Sequence, residues 1–210
     1  MSTAPPVGAV APGGSPLFNP GAAAVWFWAL MALWIGSEVW LQRSRGGGGS
    51  AVGRGADRHS MPALVVGTWA AVGGGLALST WVAPGRISDP DSLLVTAGGL
   101  VMGLGLALRW WAIRELGHQF TVRVTTSPDQ VLVATGPFRL LRHPAYTGAL
   151  LTVAGCLLCC ADLPALGLLA LPLSAYGWRI TLEERALQRR FGPSYLEYAS
   201  RRKRLIPYLF

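Results

Sequence analysis

The sequence predicts an all-α integral membrane protein with about five transmembrane helices and a C-terminal region facing the cytoplasm. Three observations carry that reading. Hydrophobic residues make up 51% of the chain and charged residues only 13%, about half the charged share of a soluble domain. Several stretches reach the roughly 20 apolar residues that a bilayer crossing requires. Seventeen of the eighteen Lys and Arg residues fall in segments that share one side of a five-span arrangement, as positively charged cytoplasmic loops do.

The spans follow in order. Residues 1–21 hold proline and glycine but no basic segment before an apolar core, so they read as a disordered tail and not as a signal peptide. The first span covers about Ala22 to Leu41 and is rich in Trp and Ala. The second covers about Pro62 to Val82, and the third about Leu93 to Ile113. The fourth runs from about Ala145 to Cys160 and the fifth from about Leu163 to Thr181, with only Ala161 and Asp162 between them. That spacing predicts a tight helical hairpin. Gly73 to Gly75, Gly98, Gly103 and Gly105 suit close approach between membrane helices.

The loops set the orientation. Arg43, Arg45, Arg54 and Arg58 separate spans one and two. Arg109, Arg114, Arg123, Arg139 and Arg142 mark the link from span three to span four. Eight more basic residues lie between Arg179 and Arg204, and only Arg86 falls on the opposite side. The N-terminus is then outside and the C-terminus cytoplasmic. The expected placement is multi-pass, in a bacterial inner membrane. The net charge of +8 comes from residues flanking apolar spans, so its partner is the bilayer with its anionic headgroups and not nucleic acid. No obligate protein partner is evident. The loop at 43–61 contains Gly46–Ser50, a flexible linker by composition.

Residues 114–144 alternate at Phe120 to Val124 and then turn at Gly136-Pro137. Residues 182–200 read as an amphipathic helix, interrupted at Gly192-Pro193. Cys156, Cys159 and Cys160 lie inside one apolar run with no histidine nearby. They read as small apolar side chains, with neither a metal site nor a disulfide framework implied.

Two clusters hold residue types that carry chemistry. Arg139 to Gly148 places Arg142, His143 and Tyr146 around a proline at a helix start. Proline loses nothing there, and the free N–H groups of the first turn suit an anion. Arg179, Glu183 and Glu184 form the second cluster, at the end of span five. Arg179 and Glu183 are four residues apart and share a helix face. Each cluster also suits a plain interfacial anchor or a salt-bridged helix end. Trp110 and Trp111 read as interfacial belt residues, His118 as a loop donor and His59 as solvated. Glu38 lies within span one, where an acid is either functional or snorkelling from near the cytoplasmic end.

At this point a resemblance enters. Arg109 to Thr121 reads R-x-x-A-x-x-x-L-G-x-x-F-T, and Leu132 to Gly148 reads L-V-x-x-G-P-F-R-x-x-R-H-P-x-Y-x-G. Glu183 to Tyr198 reads E-E-x-x-L-x-x-x-F-G-x-x-Y-x-x-Y, followed by Arg204-Leu-Ile-Pro207. This ordered set resembles the isoprenylcysteine carboxyl methyltransferase family, which sits with phospholipid methyltransferases in a wider membrane group. It covers roughly the C-terminal half, and the first two spans carry no such signature.

The resemblance implies a methyltransferase core at 114–210, with S-adenosylmethionine as cofactor. It implies a cofactor site at Gln130, Val131, Leu132, Val133, Phe138, His143, Pro144, Ala145, Tyr146 and Glu183. Arg179 matches a residue near the methyl acceptor, and His143 stands with it as a catalytic candidate. Phe138 departs from the tyrosine common in the family, so adenine stacking survives but a phenolic hydrogen bond does not. The acceptor is a lipophilic or small molecule: a prenylcysteine carboxylate by the family name, with phospholipid amines and small thiols among related members. A carboxylate or thiolate needs no strong base, whereas an amine does, with His143 or Glu184 as candidates. A non-catalytic scaffold or transporter is the alternative from another class, but the paired half-helices of a transporter are not found.

Overall fold

The computed structural model describes residues 17–18, 22–45, 59–81, 93–120 and 131–206. The tail at 1–16, the linker at 46–58, Arg86, Gln130 and the alternating stretch beyond Phe120 lie outside the described residues. Helices are α1 (Ala22–Arg45), α2 (Ser60–Trp81), α3 (Leu93–Leu116), α4 (Pro144–Cys159), α5 (Leu163–Gly167), α6 (Ala170–Phe191) and α7 (Pro193–Ser200). Short 3-10 turns occupy Gly117–Gln119 and Gly136–Arg139. Among the described residues there is no strand, and the one isolated β-bridge pairs Leu141 with Lys203 in parallel. The fold is all-helical, as expected.

Among the described residues, four segments are long and apolar enough to cross a membrane: Ala24–Ser44, Ser60–Thr80, Leu93–Gln119 and Leu163–Phe191. Their outward faces are apolar. Trp26, Val66, Leu93, Leu100 and Leu104 are each more than 60% exposed, a surface that suits lipid.

The expected fourth span differs. α4 has 16 residues, about 24 Å of helix, against a hydrocarbon core of about 30 Å. It is the innermost helix, with buried residues on nearly every face, including Gly148, Thr152, Val153, Gly155, Cys156 and Leu157. A helix wrapped by protein has no need to match the bilayer thickness.

α4 lies along α3, and glycines set the approach. A Cβ on Gly105 would lie 2.5 Å from Thr152 N and 2.6 Å from Gly148 O. One on Gly98 would lie 2.7 Å from Gly155 O. Only hydrogen side chains allow the two backbones to come so close. Cys159 completes the seam by donating its thiol to Val95 O at 3.4 Å. All three cysteines are buried and free.

Beyond α4 the chain reverses at Ala161, which has φ 51°. The expected hairpin is therefore present, but its long arms part. α5 ends at Gly167, and α6 then packs chiefly on α2, while α4 stays on α3. The arms meet again at the end that carries the site, where Ala149, Leu150, Tyr176 and Ile180 share a buried cluster with Leu205. The expected interruption of the amphipathic stretch 182–200 at Gly192-Pro193 is present. The first half of that stretch continues α6 without a break, and Gly192 (φ 54°) starts the separate α7.

Candidate active site

The site is built around the first turn of α4. Gly136 opens the preceding turn with φ 54°, a backbone shape that favours glycine. A Cβ there would lie 2.7 Å from the Glu115 carboxyl carbon, so that turn is pressed against the end of α3. The turn buries Phe138 against Ala112 and Ala145, with Leu116 and Val133 beside them. His143 precedes Pro144, the first residue of α4.

A C-terminal strap fixes this turn. Arg142 N donates to Lys203 O at 2.8 Å and His143 N to Arg204 O at 3.1 Å. Thr147 Oγ1 donates to Leu205 O at 2.8 Å. The side chains are held in the same way. Glu184 receives Arg142 Nη1 at 2.6 Å and Arg204 at 2.8 Å through Nη2 and 3.1 Å through Nε. His143 Nε2 lies 3.3 Å from the same carboxylate. The hydrogen bonds Arg204 donates to Glu184 raise the arginine's pKa above the ordinary value. Nearby, burial raises the Tyr195 phenol and pushes Tyr198 up to about 12. Both phenols therefore stay protonated at neutral pH, and Tyr198 donates to Phe138 O at 3.2 Å.

A second chain of contacts crosses from α4 to α6 and α2. Tyr146 donates its hydroxyl to Glu183 at 2.7 Å. Arg179 Nε donates to the same hydroxyl at 3.1 Å, and its Nη1 to Ser60 Oγ at 3.1 Å. Arg179 is only 3% exposed. Tyr146 thus links the two residues that helical spacing put on one face. Its ring stacks on His143, with centroids 5.6 Å apart and planes 9° apart.

Both chains border one cavity of about 190 Å³. Its lining includes Val131, Leu132, Val133, Phe138, His143, Ala145, Tyr146, Arg179 and Glu183. The structure therefore brings together every expected site residue it describes except Pro144, which is buried behind the wall; Gln130 lies outside the described residues. The cavity's apolar lining includes Met61, Leu64 and Val65 from α2 together with Ala149 and Tyr176. Trp34 and Trp69, both in its wall, stack on each other at 5.3 Å.

The sequence reading left the contributions of α1 and α2 unassigned. Glu38 and Arg109 both line the cavity. They form a two-point ion pair, Nε to Oε1 at 2.7 Å and Nη2 to Oε2 at 2.9 Å. The acid inside span one and the arginine opening the Arg109–Thr121 motif are each visible in the sequence, but nothing across 71 residues pairs them.

The Glu184 clamp gives a direct expectation. Glu184→Gln loses the charge that holds two arginines, and one partner of a partly buried ion pair is missed by about 1–3 kcal/mol. The unfolding midpoint should fall, and trypsin should cut the strap at Arg201 to Arg204 faster than in the wild type. An unchanged digestion rate would show that backbone bonds alone secure the strap.

Known proteins resemble parts of this chain. The model of the isoprenylcysteine carboxyl methyltransferase (ICMT) family matches residues 97–189. Over that segment the chain is similar to the isoprenylcysteine carboxyl methyltransferase family. The matched ICMT segment takes in Arg109, the Gly136 turn, all of α4 and the Glu183–Glu184 pair. Protein-S-isoprenylcysteine O-methyltransferase B of Arabidopsis thaliana is 31% identical over 109 residues, covering 50% of this chain and 55% of that protein. The cobalt-zinc-cadmium resistance protein CzcN of Cupriavidus metallidurans is 31% identical over 131 residues, covering 62% and 53%. The chain spans about half the length of the curated relatives it matches. The solved structure of the eukaryotic intramembrane Ras methyltransferase ICMT superposes with a TM-score of 0.61 at 21% identity, over 91% of this chain and 70% of that one. The ICMT fold therefore extends to the N-terminal helices, which the family model leaves unmatched.

Proposed function

We propose that this protein is an S-adenosylmethionine-dependent methyltransferase of the membrane, and that its acceptor is the carboxylate of a prenylated cysteine. One observation carries the reading: a single cavity is lined both by His143, Tyr146, Arg179 and Glu183 and by apolar side chains of α1, α2 and α6. A soluble charged cofactor and a lipid-like acceptor need such a mixed lining. The relatives named as protein-S-isoprenylcysteine O-methyltransferases supply the acceptor class.

The residues fit the cofactor. Phe138 offers a buried aromatic ring in the cavity wall, and Val131 to Val133 offer backbone beside it. The Glu183 carboxylate suits a cationic group, and Tyr146 orients it. Bound there, S-adenosylmethionine supplies a methyl carbon already activated by a sulfonium. The protein is left to align the reactants and exclude water. Arg179, held by Tyr146 and Ser60, offers its charge to the acceptor oxygen. His143, held by Glu184 and stacked on Tyr146, keeps the wall of the site in place. A carboxylate acceptor loses no proton, so no free base is required. An amine acceptor would require one, yet Glu184 is already taken up by Arg142 and Arg204. The site faces the cytoplasm in this proposal, supported by the one-sided distribution of Lys and Arg.

Labelled methyl transfer tests the proposal. The full chain in lipid should move the label to S-farnesylcysteine as a base-labile methyl ester. Label found only on phospholipid amine or on thiol, or no cofactor binding in either detergent or lipid, overturns it.

A further inference from the structure

We infer that Glu38 meters the positive charge that the acceptor head meets, which makes it a specificity-determining residue contributed by a helix outside the family-matched segment. The inference rests on the carboxylate acceptor proposed above.

Glu38 lies in α1, outside residues 97–189. Its side chain is 22% exposed and that of Arg109 is 11% exposed. Both of its oxygens engage the guanidinium, at 2.7 and 2.9 Å, while Arg109 Nη1 donates to Ala145 O at 3.3 Å. Helix-to-helix ties of this kind exist purely for architecture, but here both partners line the cavity beside Tyr146, Tyr176 and Arg179.

Apart from Arg142, which is paired with Glu184 at 2.6 Å, the charges lining the cavity are Arg109 and Arg179 against Glu38 and Glu183. They balance. The cofactor adds one net positive charge and a carboxylate acceptor one negative, so the loaded site is neutral. Neutrality matters at membrane depth, where an uncompensated charge is expensive. Without Glu38 the same site holds one excess cation. An anionic head is then bound more tightly before reaction. Its charge disappears as the ester forms, so the added grip favours the ground state over the transition state and slows the chemical step.

The test measures the affinity of the full-length protein for a farnesyl thioether carboxylate and for its carboxamide isostere. Glu38→Gln should raise the preference for the carboxylate about tenfold, equivalent to about 1.4 kcal/mol. In turnover it should lower the acceptor KM and kcat together, while Glu38→Asp stays near the wild type. Glu38→Gln leaves Arg109 without its counter-ion and is at risk of misfolding. The double variant Glu38→Gln/Arg109→Gln removes both charges, and its preference should return to within about threefold of the wild type. An unchanged preference in Glu38→Gln overturns the inference and leaves the pair a helix tie. Loss of carboxylate preference in the double variant also overturns it, because Arg109 would then hold the acceptor itself. A wild-type protein that methylates no prenylcysteine sinks the proposed function instead, and the binding ratio still reads out Glu38.

Discussion

Glu183→Gln is expected to raise the dissociation constant for S-adenosylmethionine at least about a hundredfold, some 2.8 kcal/mol, while the helical fold stays intact. The two halves of that result have separate causes. The Glu183 side chain is 31% exposed and its hydrogen-bond partner is the Tyr146 hydroxyl, which a glutamine oxygen also accepts. The cost to folding is then no more than about 1 kcal/mol. The cofactor loses more, because a cationic group at a partly dry site has its counter-charge replaced by a dipole. Titration calorimetry on purified protein reads the affinity, and tryptophan fluorescence during thermal unfolding reads the fold. Affinity within threefold of the wild type would place the cofactor elsewhere. His143→Ala serves less well as a probe. Its ring is 5% exposed, stacked on Tyr146 and bonded to Glu184. Removing it leaves a void and an unmatched partner, so lost binding would arrive together with lost stability.

The contrast between those two residues reflects what a sequence makes legible. The helices were readable because each apolar run exceeds what chance supplies in a soluble protein, and the break at Gly192 because glycine and proline stand together. The H-P-x-Y start of α4 and the Glu183–Glu184 pair were readable as clusters because each is local. What joins them was not. The strap bonds of Lys203, Arg204 and Leu205 reach back to residues 142–147, and backbone bonds at such separation leave no periodic trace. The Ala161–Asp162 link fixes which helices are consecutive, not which are packed together. The glycines on α3 announced a close neighbour, but only the fold shows that this neighbour is α4. Arg109 is legible as a basic residue opening the Arg109–Thr121 motif and Glu38 as an acid in a span, but no local pattern pairs them.

The helix pairing leads to the largest expected effect on stability. Gly148→Ala adds one methyl group to the α4 face that meets α3. A Cβ there would lie 2.5 Å from Arg109 N, 2.6 Å from Gly105 O and 2.9 Å from Arg109 Cα. All three are backbone atoms, which have no rotamer by which to yield. Relief requires the first turn of α4 to lift from α3. Overpacking of this kind costs about 1–3 kcal/mol, with the upper end expected for backbone contact. Lifting also moves Tyr146 and His143 away from Arg109 and Glu183, so cofactor affinity should fall with the unfolding midpoint. Gly103→Ala is the matching control. Nothing described lies within 4 Å of its Cβ position, and alanine is the better helix former by about 0.5–1 kcal/mol, so this variant should melt at or slightly above the wild-type temperature. If Gly148→Ala melts with Gly103→Ala and binds cofactor normally, the α3–α4 seam is looser than these distances require. If the two variants separate as expected, the same glycine contact that makes α4 the buried centre of the bundle also holds the start of α4 at the reach of Arg109.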